Sequence, residues 1–268
     1  ALSAITFLMM FASMEYYFYH HVHMSDGFGF TLSAQNWRSR FGSVPKNSHG
    51  MRDVEHRKRS VGGEVRIHNQ VFKLAVAKEN KLYVIGDSFT AGHGINNHRD
   101  RYANIIATEL GSDWEMILIA KGGWATRRQL SEFAEVQATI NDPLPTSSDI
   151  VIWQYYLNDI EDAGIAAGIE KPSISLTAPR LLRPIVDHYY VANFVYWSLV
   201  RRFSTRELMG SYLKFLSDCF DDSMAWNLHQ RELREIVALS EARGSQQQRR
   251  MIVVVYSNLM DISGTRFM

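Results

Sequence analysis

Ser88 is the residue whose surroundings suit it best to nucleophilic chemistry. It ends the stretch Lys-Leu-Tyr-Val-Ile-Gly-Asp-Ser, residues 81–88, where an apolar strand pattern runs straight into Gly86-Asp87-Ser88-Phe89. A serine on a tight turn at the C-terminal end of a parallel strand stands in the crevice where open α/β sheets collect their ligands. The chemistry this opens is acyl transfer. The hydroxyl attacks an ester carbonyl once a histidine takes its proton, and donors stabilise the oxygen that turns negative. Gly, Asp and Ser also build ordinary turns and helix caps, so the motif alone leaves a structural turn open.

Two further segments end in the same way. Glu115-Met-Ile-Leu-Ile119 is a second short apolar run, and it leads into Ala120-Lys121-Gly122-Gly123-Trp124. A third, Asp149-Ile-Val-Ile-Trp-Gln-Tyr155, leads into Tyr156-Leu157-Asn158-Asp159. Three strands are therefore expected to deliver small or polar residues at one end of a sheet. Taken singly, Gly123 also reads as a strand-end turn and Asn158 as a helix cap.

In order, spacing and strand context these segments resemble blocks I, II and III of the SGNH, or GDSL-type, hydrolases. Gly86-Asp87-Ser88-Phe89 with Thr90-Ala91-Gly92-His93-Gly94 corresponds to the first block, Gly123 to the second and Asn158-Asp159 to the third. Asn36-Trp37-Arg38 and Pro45-Lys46-Asn47-Ser48-His49-Gly50-Met51-Arg52-Asp53 are similar to a segment that precedes the catalytic domain in membrane-attached members. The resemblance spans residues 36–258. It implies Ser88 as nucleophile and an oxyanion site made by the backbone N–H groups of Ser88 and Gly123 and the side-chain amide of Asn158. Glycine suits its place because the missing Cβ admits the substrate. Asparagine suits its own because an amide donates where an ionised carboxylate only accepts. Two positions depart from the family pattern: Ala120-Lys121 stands where block II carries an asparagine, and Tyr156 replaces the first glycine of block III.

The family takes its base from an Asp-x-x-His block near the C-terminus, and none follows Asn158 in this chain. Asp53-Val54-Glu55-His56 matches in form but lies upstream of Ser88, against the family's chain order. His93 lies five residues beyond the serine and reads as a solvated loop histidine. Asp187-His188 has the wrong spacing. The expectation is a chain cut short, with the Asp/His pair encoded beyond Met268. The function this implies is a serine-dependent esterase, or an acyltransferase using the same constellation, acting on a small-molecule or polysaccharide ester or a lipid. A domain of the same fold that only binds carbohydrate, or serves as a scaffold, is the alternative.

A net charge of +1 excludes the clustered basic excess of a nucleic-acid footprint. The single cysteine, Cys219, excludes an internal disulfide and reads as a half-buried helix residue. No phosphate-binding glycine loop or zinc-ligand spacing appears, so neither cofactor nor metal is expected. Residues 1–14 carry no charge, Glu15 is followed by Tyr16-Tyr17-Phe18-Tyr19, and no Lys or Arg appears until Arg38. This pattern predicts a truncated transmembrane or signal-anchor segment over 1–22, with the catalytic domain membrane-attached on the non-cytoplasmic side.

Those groups need a scaffold. Residues 23–79 read as a loop-rich extension in which Val71–Val76 forms a strand expected to turn back into the nucleophile strand. Residues 80–268 read as the catalytic domain, incomplete at its C-terminus. Helical spacing appears over 100–110, ending at Gly111, and over 125–140, so strands and helices alternate. The predicted fold is α/β: a three-layer, flavodoxin-like parallel sheet of the SGNH type, with a helical insertion after the third core strand. Within that insertion an aromatic helix is expected over 181–203 and a second helix over 224–243, capped near Asp222 or Ser223. A final strand covers 251–256.

Overall fold

The computed structural model describes residues 2–26, 29–42, 44–140, 149–173, 177–241 and 250–256, apart from the side chains of 201–209. Along the chain run α1 (Leu2–His21), α2 (Leu32–Arg40), β1 (Val61–Ile67), β2 (Gln70–Val76), β3 (Asn80–Gly86), α3 (Tyr102–Leu110) and β4 (Trp114–Ala120). There follow α4 (Thr126–Ile140), β5 (Ile150–Tyr155), α5 (Glu161–Ala166), α6 (Arg183–Val186), α7 (Tyr190–Asp221), α8 (Ser223–Ser240) and β6 (Arg250–Val255). The chain divides into two compact units, residues 1–42 with 172–213 and residues 43–171 with 214–268.

The second unit is built on a four-stranded sheet in the order β4-β3-β5-β6, every neighbour parallel. Numbered along the chain these core strands are 2-1-3-4, consistent with a flavodoxin-like α/β fold. Side chains alternate between the two faces. Tyr83, Ile85, Ile117, Ile119, Val151 and Trp153 pack with Phe133, Val136 and Ile140 of α4 and Ile236 of α8. Leu82, Val84, Leu118, Ala120 and Ile152 meet Ala103 of α3 on the opposite face. Burial on both faces is why these strands read as continuous apolar runs. The chain leaves β3 toward β4 and leaves β5 toward β6, in opposite directions. The crevice between the C-terminal ends of β3 and β5 is therefore the topological switch point, where such sheets bind ligands.

Val71–Val76 is a strand, but its partner is β1 rather than β3. The two pair antiparallel from Val61↔Val76 to Ile67↔Gln70. His68 and Asn69 adopt positive φ of 45° and 64°, the geometry of a two-residue hairpin turn. Gly62 and Gly63 hide β1 in the sequence, because alternation is hard to see without side chains. Cys219 is fully buried, closer to the core than its sequence setting suggests. It packs so tightly on Gly164 that a Cβ there would overlap its sulfur.

In the first unit, Thr31 caps α2 by accepting the N–H of Ala34 at 3.0 Å. The carboxylate of Glu15, on α1, accepts the N–H groups of both Tyr190 and Val191, each at 2.8 Å. It thereby satisfies donors that the start of α7 leaves free. Ring pairs Phe11–Tyr189, Phe18–Phe194 and Tyr19–Tyr190, at 5.6, 5.2 and 5.4 Å, hold the two helices together. Trp197 is buried with Ala178 and Val186 and stacks on Phe30, so this aromatic stretch fills the core of its own unit. Leu2, Phe7, Leu8, Met9 and Met10 of α1 are all more than half exposed. Among the described residues, no helix is long and apolar enough to cross a membrane.

Candidate functional site

The site begins at the end of β3. A Cβ at Gly86 would lie 2.6 Å from Gln154 Oε1 and 2.9 Å from Thr90 Cβ. Only glycine lets these two side chains meet over the strand end. Gln154 Oε1, one strand across on β5, accepts from Thr90 Oγ1 at 3.0 Å and from the Asp87 N–H at 3.2 Å. The Thr90 hydroxyl also pairs with Tyr102 Oη at 2.8 Å. Asp87 is fully buried, and its Oδ1 accepts the N–H of Phe89 at 2.9 Å. Burial raises the Asp87 carboxyl above its ordinary range, while the Phe89 N–H, the Asn158 amide and Gln154 pull it back. The turn is thus fixed from below by buried polar groups, and it lifts Ser88 to a half-buried position with Phe89 beside it, 49% exposed.

The loop after β4 reaches the same place. Lys121 to Trp124 forms a turn closed by a 3.3 Å hydrogen bond, with Gly123 at φ +80°. A positive φ at the third position of a turn favours glycine, so the strand-end-turn reading of Gly123 holds whatever its chemistry. A Cβ at Gly122 would stand 3.7 Å from Ser88 Cβ, so this loop passes beside the serine with room for little more than a methyl group between them. Among the described residues, neither the Ser88 N–H nor the Gly123 N–H donates a hydrogen bond.

Asn158 follows β5, in a single 3-10 turn over Leu157–Ile160. Its neighbour does the capping: Asp159 Oδ2 accepts the Tyr156 N–H at 2.7 Å, while Oδ1 accepts from Gln129 Nε2 at 2.6 Å. Gln129 in turn accepts the indole N–H of Trp153 at 2.7 Å. Burial holds the Asp159 carboxyl well above its usual range. The helix-cap reading therefore belongs to Asp159, and Asn158 is left for other work. Its amide lies close enough to the Asp87 carboxyl beside Ser88 to lower its pKa, while Asp87 Oδ2 and Asn158 Oδ1 each make no hydrogen bond among the described residues. An amide has two N–H donors, so one stays available when the other faces Asp87.

The departures from the family pattern have local reasons. Tyr156 has φ −136° and ψ 163°, extended backbone that requires no glycine. Its ring packs on Phe89 at 5.0 Å, and Phe89 meets Tyr256 at 5.5 Å, so an aromatic wall flanks the serine. Lys121 is exposed beside Gly50.

The segment before β1 braces the site. Arg52 donates to the carbonyls of Gly92, Ile95 and Asn96, at 3.1, 2.8 and 2.9 Å. Asp53 Oδ2 accepts the N–H of Leu118 on β4 at 2.8 Å. His56 bonds Asp53 at 3.1 Å and Glu115 at 2.7 Å, and Glu115 pairs with Lys81 at 3.0 Å. Lys81 and Glu115 are register partners at the N-terminal end of the sheet. Five strand residues, roughly 16 Å at about 3.3 Å each, separate Lys81 from Gly86. The upstream Asp-x-x-His is thus a buried ionic cluster along the edge strand β4, with His56 held by Glu115 near the start of the strand and Asp53 bonded further along it at Leu118. His93 is exposed, and its backbone N–H donates to the Ser88 carbonyl at 2.8 Å.

The three loops that carry Ser88, Gly123 and Asn158 follow adjacent parallel strands and so stand at one end of the sheet. The sequence reading missed Gln154, Thr90, Tyr102 and Gln129, which hold them there. One signal was available: a glutamine inside the apolar run Ile-Val-Ile-Trp-Gln-Tyr. Comparison with protein-family models, with curated proteins and with solved structures returns no match.

Proposed function

We propose that the chain carries the catalytic core of a serine esterase, or of an acyltransferase using the same groups, of the SGNH type. Ser88 Oγ attacks the ester carbonyl, and the new oxyanion is held by the N–H groups of Ser88 and Gly123 and by Asn158 Nδ2. The alcohol leaves with the proton, and the acyl-serine is released to water or to a sugar hydroxyl. The proton acceptor is a histidine oriented by a carboxylate; Asp53 and His56, the Asp-x-x-His pair among the described residues, are instead engaged by Leu118 and Glu115. α1 attaches the protein to a membrane through its exposed apolar residues, with the catalytic unit on the non-cytoplasmic side. The substrate is then an envelope polysaccharide ester or a lipid.

The observation that supports this reading most is that the loops after β4 and β5 both come up to the serine turn: a Cβ at Gly122 would stand 3.7 Å from Ser88 Cβ, and the Asn158 amide lowers the pKa of the neighbouring Asp87. A structural turn needs neither neighbour. Hydrolysis of a chromogenic acetate ester by the full gene product tests it. Asn158→Ala is expected to lower kcat on the order of 100- to 1000-fold, the usual effect of losing one oxyanion donor. Ser88→Ala is expected to abolish turnover. A folded gene product that hydrolyses no ester favours the carbohydrate-binding or scaffold reading.

A further inference from the structure

We propose that His49, Glu132 and Glu135 bind a divalent transition-metal cation, with zinc the best fit. One candidate ligand atom from each residue lies within 4.8 Å of the others. His49 Nδ1 is 3.3 Å from Glu132 Oε2 and 3.8 Å from Glu135 Oε1. Two ligands bound about 2.1 Å from a tetrahedral zinc stand roughly 3.4 Å apart, so the first pair already has the spacing of a shared ion. Glu135 is 62% exposed and closes the remaining gap by rotating its side chain.

The second observation is the state of Glu132. Its side chain is 3% exposed, and Oε2, the atom turned toward His49, makes no hydrogen bond among the described residues. A buried carboxylate oxygen that faces an imidazole nitrogen without a hydrogen bond is costly unless the ring is protonated, and a cation between the two removes the cost. Arg128 pairs with the other oxygen, Oε1, and so fixes the direction of Oε2 as outer-shell partners of metal ligands do.

The histidine is held with comparable care. Asn47–Gly50 is a turn closed at 3.0 Å, Asn47 Oδ1 accepts the Met51 N–H at 2.9 Å, and Glu55 accepts both the N–H and the hydroxyl of Ser48. One imidazole nitrogen and two carboxylates match a borderline cation better than calcium or magnesium, which favour all-oxygen shells. The ion ties the segment before β1 to α4, whose first turn begins just after Gly123. Ligands 83 residues apart in sequence (49 to 132) show no motif spacing.

Zinc binding to the full gene product tests this, in a background where the exposed His20 and His21 and the half-buried His23 are alanine so that they contribute no competing site. Competition with a colorimetric chelator is expected to show one equivalent bound, with thermal unfolding raised by about 5 °C at saturating zinc. His49→Ala is expected to remove that equivalent. Glu135→Gln, at an exposed position, is expected to weaken binding at least tenfold with an unchanged circular dichroism spectrum. Zinc affinity unchanged in both variants, or no bound equivalent in the background protein, overturns the proposal and leaves His49–Glu132 an ion pair only.

Discussion

At Gly86 a single missing Cβ decides whether the serine turn forms. Thr90 and Gln154 occupy the volume that any larger residue needs, and both are buried and hydrogen-bonded, so neither yields cheaply. Gly86→Ala is expected to cost about 1–3 kcal/mol, the range for overpacking a filled core. It should also displace Asp87, whose N–H bonds Gln154. Urea unfolding reads the first effect. A Gly86→Ala variant as stable as the parent would contradict the account of the turn. Ser88, Gly123 and Asn158 were legible one at a time, because strand ends are marked by a change from apolar to small or polar residues. What holds their loops in place at one end of the sheet was not legible. Gln154 reaches Thr90 across 64 positions and Asp53 reaches Leu118 across 65, and no local pattern encodes such pairs.

The elements divide by how much of their burial is visible in sequence. β3, β4 and β5 are covered on both faces and read directly as apolar runs. β1 and α2 did not, since β1 carries two glycines and α2 buries only Ser33, Ala34 and Trp37. The segment over 44–56 is an element of a different kind. It has no regular structure, yet its side chains brace the loop after Ser88 and the edge strand β4. Its buried histidine makes a measurable contribution. Burial alone would lower the His56 pKa, but the carboxylates of Asp53 and Glu115 outweigh it and raise it from 6.5 to about 9. A pKa raised on folding contributes stability that is complete below about pH 6.5 and lost as the pH rises through 9. Urea midpoints measured from pH 6 to 9.5 should fall by the equivalent of roughly 3 kcal/mol. His56→Gln should show a much flatter profile, and an equal slope in both proteins would refute the cluster's role.

Across the whole molecule, two units meet different demands. The unit of residues 43–171 and 214–268 holds the sheet, the switch-point crevice and the candidate metal ligands. The unit of residues 1–42 and 172–213 holds α1, whose leading half exposes Leu2, Ile5, Phe7 and Leu8 while Glu15 anchors it to the start of α7. Exposed apolar residues along a helix call for an apolar surrounding, which is the basis for the proposal that α1 attaches to a membrane. The acyl-transfer reading rests on Ser88 behaving as a nucleophile rather than as one more turn residue. The most direct measurement is the intact and tryptic mass of the full gene product after treatment with a fluorophosphonate. The account predicts a single phosphonyl adduct on Ser88, absent in Ser88→Ala. A folded protein that stays unmodified, or one modified equally in Ser88→Ala, would contradict it.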